Sequence, residues 1–90
     1  MNYTIEERAL EQLRTYKTFP EKARFLREYV AVKTAKDMAK ELQVSTQLIF
    51  YYENNCYSPN AKITSKYSKH FGVSPLDLYT AKDLKGDDYL

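Results

Sequence analysis

A ten-residue segment near the middle of the chain carries side chains suited to directional hydrogen bonds and apolar contacts on one surface. If residues 45–54 form a helix with Ile49 and Tyr52 turned inward, five other positions face outward. They are Thr46, Gln47, Phe50, Tyr51 and Asn54. Gln47 can donate and accept two parallel hydrogen bonds, which matches an adenine edge in a DNA major groove and discriminates by about 1–3 kcal/mol. These residue types therefore indicate a surface that reads base edges.

The aromatic and hydroxyl residues of this segment extend that interpretation. Thr46 and Phe50 can meet thymine methyl groups, and Tyr51 can reach a phosphate or a base edge. The plainer alternative is an ordinary solvated helix face. Phe50 argues against it because a large exposed aromatic side chain usually awaits a partner. That partner can be DNA or protein, so Phe50 alone does not decide between them.

The segment must be held by neighbouring elements, and the sequence before it predicts a supporting helix. Thr34 can cap this helix, with Asp37 three residues later in the position that reaches back to the cap. Its apolar face is formed by Met38, Ala39 and Leu42. The small Ala39 permits the close approach that two steeply crossing helices need.

A tight turn separates this helix from the next. The helical pattern breaks at residues 43–45, and Ser45 can cap a second helix with Leu48, Ile49 and Tyr52 facing inward. A helix-turn-helix of this kind holds its second helix out as a probe for a DNA groove.

The remaining patterns are also helical. Apolar spacing and capping signals predict helices over residues 4–17, 20–32, 60–71 and 74–79, and Gly72 suits a left-handed cap. The first of these, opened by a Thr4–Glu7 capping pair, is expected either to pack on the core or to contribute to dimerisation.

Landmarks beyond the motif carry a family resemblance. Glu53-Asn54-Asn55 looks like a Glu-x-Gly helix end, Pro59 follows six residues after Glu53, and residues 71–78 read FGVSPLDL. Over roughly residues 21–80 the chain resembles the Cro and lambda-repressor type of helix-turn-helix domain, the XRE-like group. The resemblance implies an all-α fold, a compact five-helix lambda-repressor-like domain with an extra N-terminal helix.

This fold implies a division of the chain and a set of DNA contacts. Residues 1–19 would form the N-terminal helical extension, 20–80 the DNA-binding domain and 81–90 a polar tail. The resemblance places phosphate contacts at the starts of three helices, and the alternative for each lysine is a solvated surface charge. The implied contacts are Thr34, Lys36, Ser45, Asn60 and Lys62.

The chain departs from the family pattern at several positions. Ala35 stands where a glutamine usually braces the phosphate contact, and Gln43 and Asn55 replace glycines. A left-handed conformation at Gln43 costs some strain, whereas asparagine tolerates positive φ well.

The family also pairs an arginine of its first helix with the glutamate of Glu-x-Gly. The expected arginine position, eleven residues before Ala39, is occupied by Glu28, and Arg27 lies one residue earlier. Either the link between the first two helices of the family core is one residue longer here, or the pair is absent. We predict an Arg27–Glu53 pair with a structural role.

Charge distribution qualifies the expected affinity. The net charge of the 90-residue chain is only +2. Residues 21–33 and 60–72 are basic, whereas residues 34–54 sum to −1 and the chain from residue 73 to −2. Phosphate attraction would then come from the flanks of the motif, and we expect modest non-specific affinity.

The sequence contains few of the residues that other functional classes would need. Ninety residues suit one small domain, and no apolar run or signal peptide indicates a membrane, so we expect a cytoplasmic protein. Cys56 is the only cysteine and His70 the only histidine, which leaves no disulfide, His-based metal site or catalytic triad. Cys56 is read as a partly buried thiol, with a redox switch as the alternative. Enzymatic activity, metals and cofactors are not expected.

Two functions remain. The first is a sequence-specific DNA-binding transcriptional regulator of the small phage-repressor or plasmid-regulator kind, binding double-stranded DNA as a homodimer. The second is a protein-interaction module, such as an antitoxin, anti-repressor or adaptor, that uses Phe50, Tyr51 and the N-terminal helix on a protein partner. Ala35 and the nearly neutral motif favour the second; Gln47 and Asn54 favour DNA.

Overall fold

The structure, a computed structural model, describes residues 5–54 and 58–78. Six α-helices form in these two ranges, which contain no β-strand, so the predicted all-α class is confirmed. The helices are α1 (Glu7–Thr15), α2 (Phe19–Phe25), α3 (Ala35–Leu42), α4 (Thr46–Glu53), α5 (Ala61–Phe71) and α6 (Pro75–Leu78). The chain continues from α2 into a π-helical turn, Leu26–Ala31. None of the helices in the described ranges is long and apolar enough to cross a membrane.

Short polar side chains begin three of these helices as predicted. The side-chain oxygens of Thr34, Ser45 and Asn60 each accept a hydrogen bond from the backbone N–H three residues on, at 3.1, 3.1 and 2.9 Å. Gly72 ends α5 with φ of 68°, the left-handed conformation that glycine adopts without a steric penalty. Gln43 ends α3 with φ of 59°, so a non-glycine residue holds this conformation at the turn of the motif.

Three of the predicted helix boundaries were wrong: both ends of the first helix and the start of the second. The first helix was predicted over 4–17 but covers Glu7–Thr15; Glu6 occupies the cap position without a side-chain cap, and Tyr16 is extended. The second was predicted to start at Pro20 but starts at Phe19, because Thr18 caps it. The Thr18 hydroxyl oxygen accepts from the Glu21 N–H and its O–H donates to the Glu21 carboxylate at 2.8 Å.

Some sequence predictions fall outside the described residues. Thr4, Asn55, Cys56, Tyr79 and the tail from residue 81 all lie there.

The core forms where α3 packs on α4, with α2 against α4 and α5 against α3. Ala39 is buried at this junction, and its carbonyl accepts from the Val44 N–H at 2.9 Å, which closes the turn between α3 and α4. The inward residues predicted for α4 lie as expected for Ile49 and Tyr52, which are buried, while Leu48 is half-buried. The motif therefore has a packed interior that fixes which face of α4 points outward.

Helix α1 packs on its own chain. Leu13 is fully buried, and the buried Lys22 ammonium donates to the Leu13 carbonyl at 2.8 Å. Burial lowers the pKa of Lys22. Arg14 also bonds to Asp77 of α6 at 2.9 Å. Packing on the core and dimerisation were the two roles expected for the first helix, and the structure shows the packing on the core.

The π-helical turn ends in an unusual backbone conformation. Val32 has φ of 54° and ψ of 54°, and its side chain is 76% exposed. The next N–H, of Lys33, donates to the Arg27 carbonyl at 2.9 Å. A left-handed conformation is costly for a β-branched residue, so local strain is concentrated here.

Candidate nucleic-acid interface

The outer face of α4 presents most of the side chains that the sequence assigned to base reading. Gln47 and Asn54 are exposed, and Phe50 retains 49% of its accessible surface. Thr46 and Tyr51 are half-buried. Because Ile49 and Tyr52 are held in the core, α4 cannot rotate to bury Gln47 or Phe50 without exposing them.

Gln47 is oriented by a neighbour one helical turn away. Its Nε2 donates a hydrogen bond to the hydroxyl of Tyr51. A primary amide has two N–H groups and a carbonyl oxygen with two lone pairs, so one donor and the acceptor remain for another partner. Those two groups are what bidentate recognition of adenine requires. Tyr51 is thus placed to position Gln47 as well as to make contacts of its own.

Asn54 is exposed but engaged with its own domain. Its Nδ2 donates to the Phe50 carbonyl at 2.8 Å, which caps the C-terminal end of α4. Its Oδ1 lies 3.5 Å from an Nη of Arg24. Asn54 therefore differs from Gln47, since a cation of its own domain, Arg24, already lies at its amide oxygen.

The five residues assigned to phosphate contacts lie at helix starts. Thr34, Ser45 and Asn60 use their side-chain oxygens as caps of α3, α4 and α5. At each of these helix starts, first-turn backbone N–H groups have no partner within the helix, and such groups favour the binding of an anion. Lys36 and Lys62 are exposed and occupy the second position of α3 and of α5. The two lysines are equivalent in helix position, which makes each a control for the other.

A buried ion pair supports α4 from behind. Arg27 Nε lies 2.6 Å from Glu53 Oε2, and an Arg27 Nη donates to Glu53 Oε1 at 2.8 Å, a bidentate arrangement. The Glu53 side chain is 1% exposed and that of Arg27 13%. Hydrogen bonding to the carboxylate raises the pKa of Arg27 above its ordinary value. The other Nη donates to the Lys33 carbonyl at 3.0 Å, so one guanidinium joins α4, the π-helical turn and the loop before α3.

The π-helical turn explains how Arg27 reaches this position. Arg27 lies twelve residues before Ala39, one more than the family resemblance expects. A π-turn accommodates a single additional residue within a helix, and the turn Leu26–Ala31 contains Arg27 and the four residues after it. The additional residue is therefore absorbed in the helix, and Glu28 is left outside, exposed.

Comparison with known proteins identifies the family. Over 50 residues the chain is 40% identical to an uncharacterized HTH-type transcriptional regulator of Methanocaldococcus jannaschii, and the match covers 56% of this chain and 76% of that protein. The chain belongs to the HTH-type transcriptional regulators. No protein-family model matches it, and no solved structure matches it significantly.

In this HTH-type regulator, α3 and α4 are the two helices of the helix-turn-helix and α4 is the second helix. Sequence reasoning missed Arg24, a residue of α2 whose side chain lies beside the C-terminal end of α4. Its side chain is 49% exposed, and it approaches the Glu53 carboxylate at 3.8 Å and the Glu53 carbonyl at 3.5 Å. The basic composition of residues 21–33 was the available signal, but of its four cations the sequence predicted a contact with α4 for Arg27 and not for Arg24.

A second polar cluster joins α3 to α5 within the regulator. Glu41 accepts from His70 Nε2 at 2.8 Å and pairs with the Lys33 ammonium at 3.1 Å. Burial raises the pKa of Glu41, but the hydrogen bonds from Lys33 and His70 outweigh it, and the net pKa is lowered. In the described residues no group of three potential metal-ligating side chains comes together.

Proposed function

We propose that this chain is a sequence-specific DNA-binding transcriptional regulator whose α4 enters a major groove. The observation that carries the proposal is the outward face of α4, where Gln47 and Phe50 are exposed on a helix fixed by the Arg27–Glu53 pair. A rigid support suits direct readout, because base contacts lose discrimination when the reading helix moves. The family relationship supports the same assignment.

Within this proposal the contacts divide into two classes. Gln47 reads an adenine, with Tyr51 holding its amide, while Thr46 and Phe50 contact thymine methyl groups. Asn54 reads a base edge beside Arg24. The exposed Lys36 and Lys62, with the capped helix starts at Thr34, Ser45 and Asn60, hold phosphates. Arg24 adds a further cation.

We further propose a cytoplasmic repressor of the phage or plasmid kind that acts as a homodimer. Two copies would bind a palindromic site with half-sites about one helical turn apart, ~34 Å. No catalytic activity or cofactor is assigned.

Fluorescence anisotropy with the protein's own promoter region, measured across a salt series, tests DNA binding. We expect a saturable increase whose affinity falls steeply with salt, because phosphate contacts release counterions. Wild-type protein that gives no increase at low salt would refute the proposal.

Substitution of Gln47 tests the reading role. Gln47→Ala should lower affinity for the cognate site about 5- to 150-fold, corresponding to about 1–3 kcal/mol, and relax preference at a single base pair. Gln12→Ala is the matched control, because Gln12 is an exposed glutamine on α1 that also donates to a tyrosine hydroxyl four residues on, that of Tyr16, at 3.2 Å. The control should bind DNA as the wild type does. Equal effects of the two substitutions would contradict the assignment of α4.

The second candidate function is a protein-interaction module. The observation that favours it is the composition of α4, whose one charged residue, Glu53, is buried, whereas Phe50 is half exposed. Such a surface also suits a protein partner. Absence of DNA binding together with co-purification of a stoichiometric protein, lost on Phe50→Ala, would support this function instead.

A further inference from the structure

A cleft of about 160 Å³ lies between the α3–α4 turn, α4 and the start of α5. Four apolar or aromatic side chains line it: Val44, Leu48, Tyr52 and Ile63. Leu48 and Tyr52 are one helical turn apart on α4, on a different side from Gln47 and Phe50. The cleft is therefore distinct from the surface proposed to read bases.

The polar border of the cleft consists of two amides, Gln43 and Asn60, and two cations. Lys62 and Lys66 line it, and no carboxylate does so among the described residues. The Lys66 ammonium donates to the Leu42 carbonyl at 3.0 Å, which leaves two of its three N–H groups for another acceptor. Lys62 is exposed and forms no ion pair with any residue in the described ranges. Elsewhere on the surface, cations such as Arg14 and Lys33 lie against carboxylates.

We propose that this cleft binds a small organic anion, with a flat apolar body about the size of a benzene ring and one carboxylate. An apolar cavity of about 150 Å³ is large enough to hold benzene, so the volume fits one ring. The apolar walls select against a simple hydrated anion, and the two ammonium groups select against a neutral ring. The cleft is small compared with pockets for drug-sized ligands, so the expected dissociation constant is on the order of a millimolar.

The cleft shares residues with the surface proposed to contact DNA, so the ligand should affect DNA binding; this inference rests on the proposed function. Lys62 is a candidate phosphate contact, and Leu48 and Tyr52 belong to the helix that would enter the groove. A carboxylate bound to Lys62 competes with a phosphate for the same ammonium. The anion should therefore weaken DNA binding and act as an inducer.

Titration of the ¹⁵N-labelled full chain by NMR, at constant ionic strength, tests the site with three probes: benzoate, benzyl alcohol and acetate. Benzoate should give saturable shifts at the amides of Val44, Leu48 and Ile63. Benzyl alcohol, which lacks the charge, and acetate, which lacks the ring, should each bind at least about fivefold more weakly. Lys62→Gln should reduce benzoate affinity about fivefold, and Lys36→Gln, at the equivalent position of α3, should leave it unchanged.

Three outcomes would overturn the inference. Acetate that binds with the same affinity as benzoate would refute it, since that result would mean non-specific attraction of anions to lysines. Shifts confined to residues away from the cleft, or equal effects of Lys62→Gln and Lys36→Gln, would also refute it. In the anisotropy assay benzoate should weaken DNA binding more than benzyl alcohol does. If the wild type binds no DNA but benzoate still saturates the cleft, the proposed function fails and the site remains.

Discussion

Removing the Arg27 side chain should strongly destabilise the protein, although Arg27 is not proposed to touch DNA. Arg27→Met leaves the Glu53 carboxylate 1% exposed without its bidentate partner, and it also releases the Lys33 carbonyl. Breaking a buried pair by removing one member costs about 3–5 kcal/mol. Arg24 stays 3.8 Å from Glu53 and compensates in part, so we expect the lower end, about 3 kcal/mol. For a domain of this size that corresponds to a Tm lower by about 12–24 °C.

Urea denaturation followed by circular dichroism measures this loss, with thermal melting as a second readout. Arg24→Gln is the control, because its half-exposed guanidinium also approaches Glu53 but should contribute less than about 1 kcal/mol. Arg27→Lys, which keeps the charge but not the bidentate geometry, should fall between the two. The double variant Arg27→Met/Glu53→Leu should be more stable than Arg27→Met alone, because no unpaired buried charge remains. If Arg27→Met and Arg24→Gln lower the free energy of unfolding equally, the Arg27–Glu53 pair does not stabilise the protein as proposed.

Two further predictions concern backbone strain and pH. Val32→Gly should raise the free energy of unfolding by up to about 1 kcal/mol, because it removes a left-handed β-branched residue whose exposed side chain packs little. Glycine's greater chain entropy in the unfolded state offsets part of the gain. A lower free energy of unfolding in chemical denaturation would contradict this prediction. Because the pKa of Glu41 is lowered in the folded protein, its carboxylate adds stability above the ordinary pKa of 4.5, and this contribution is lost as the pH falls below that value. Glu41→Gln should therefore reduce the difference in unfolding free energy between neutral and acidic pH, and an unchanged difference would refute the role of the hydrogen bonds from Lys33 and His70.

Local signals made much of this fold predictable. Thr34, Ser45 and Asn60 are good caps for the same reason in any sequence: a short side-chain oxygen reaches a nearby backbone N–H. Gly72 is similarly favoured because it has no Cβ. Thr18 is a cap of the same kind, but because Pro20 was taken as the first residue of α2, the helix was predicted to start one residue too late.

Other features depend on contacts between distant residues and were not predictable from local pattern. Nothing in residues 26–31 distinguishes a π-turn from an α-turn, and in the structure this turn accompanies the bond between Arg27 and Glu53, which are distant in sequence. The burial of Lys22 against the Leu13 carbonyl also requires α1 to be in place. At the candidate interface, helical spacing indicated that Gln47, Phe50 and Asn54 are exposed on α4, but not that Arg24 contacts the Asn54 amide.

The π-helical turn also bears on how chains of this kind can change in length. One residue added to a regular α-helix rotates everything after it by about 100°, which would move buried side chains to the surface. The wide turn at Leu26–Ala31 confines that rotation, so Phe25 before it and Ala35 after it both remain buried. Chains that differ by a single residue here need not differ in any loop, and an alignment that forbids gaps inside helices would shift Arg27 and Glu28 by one position.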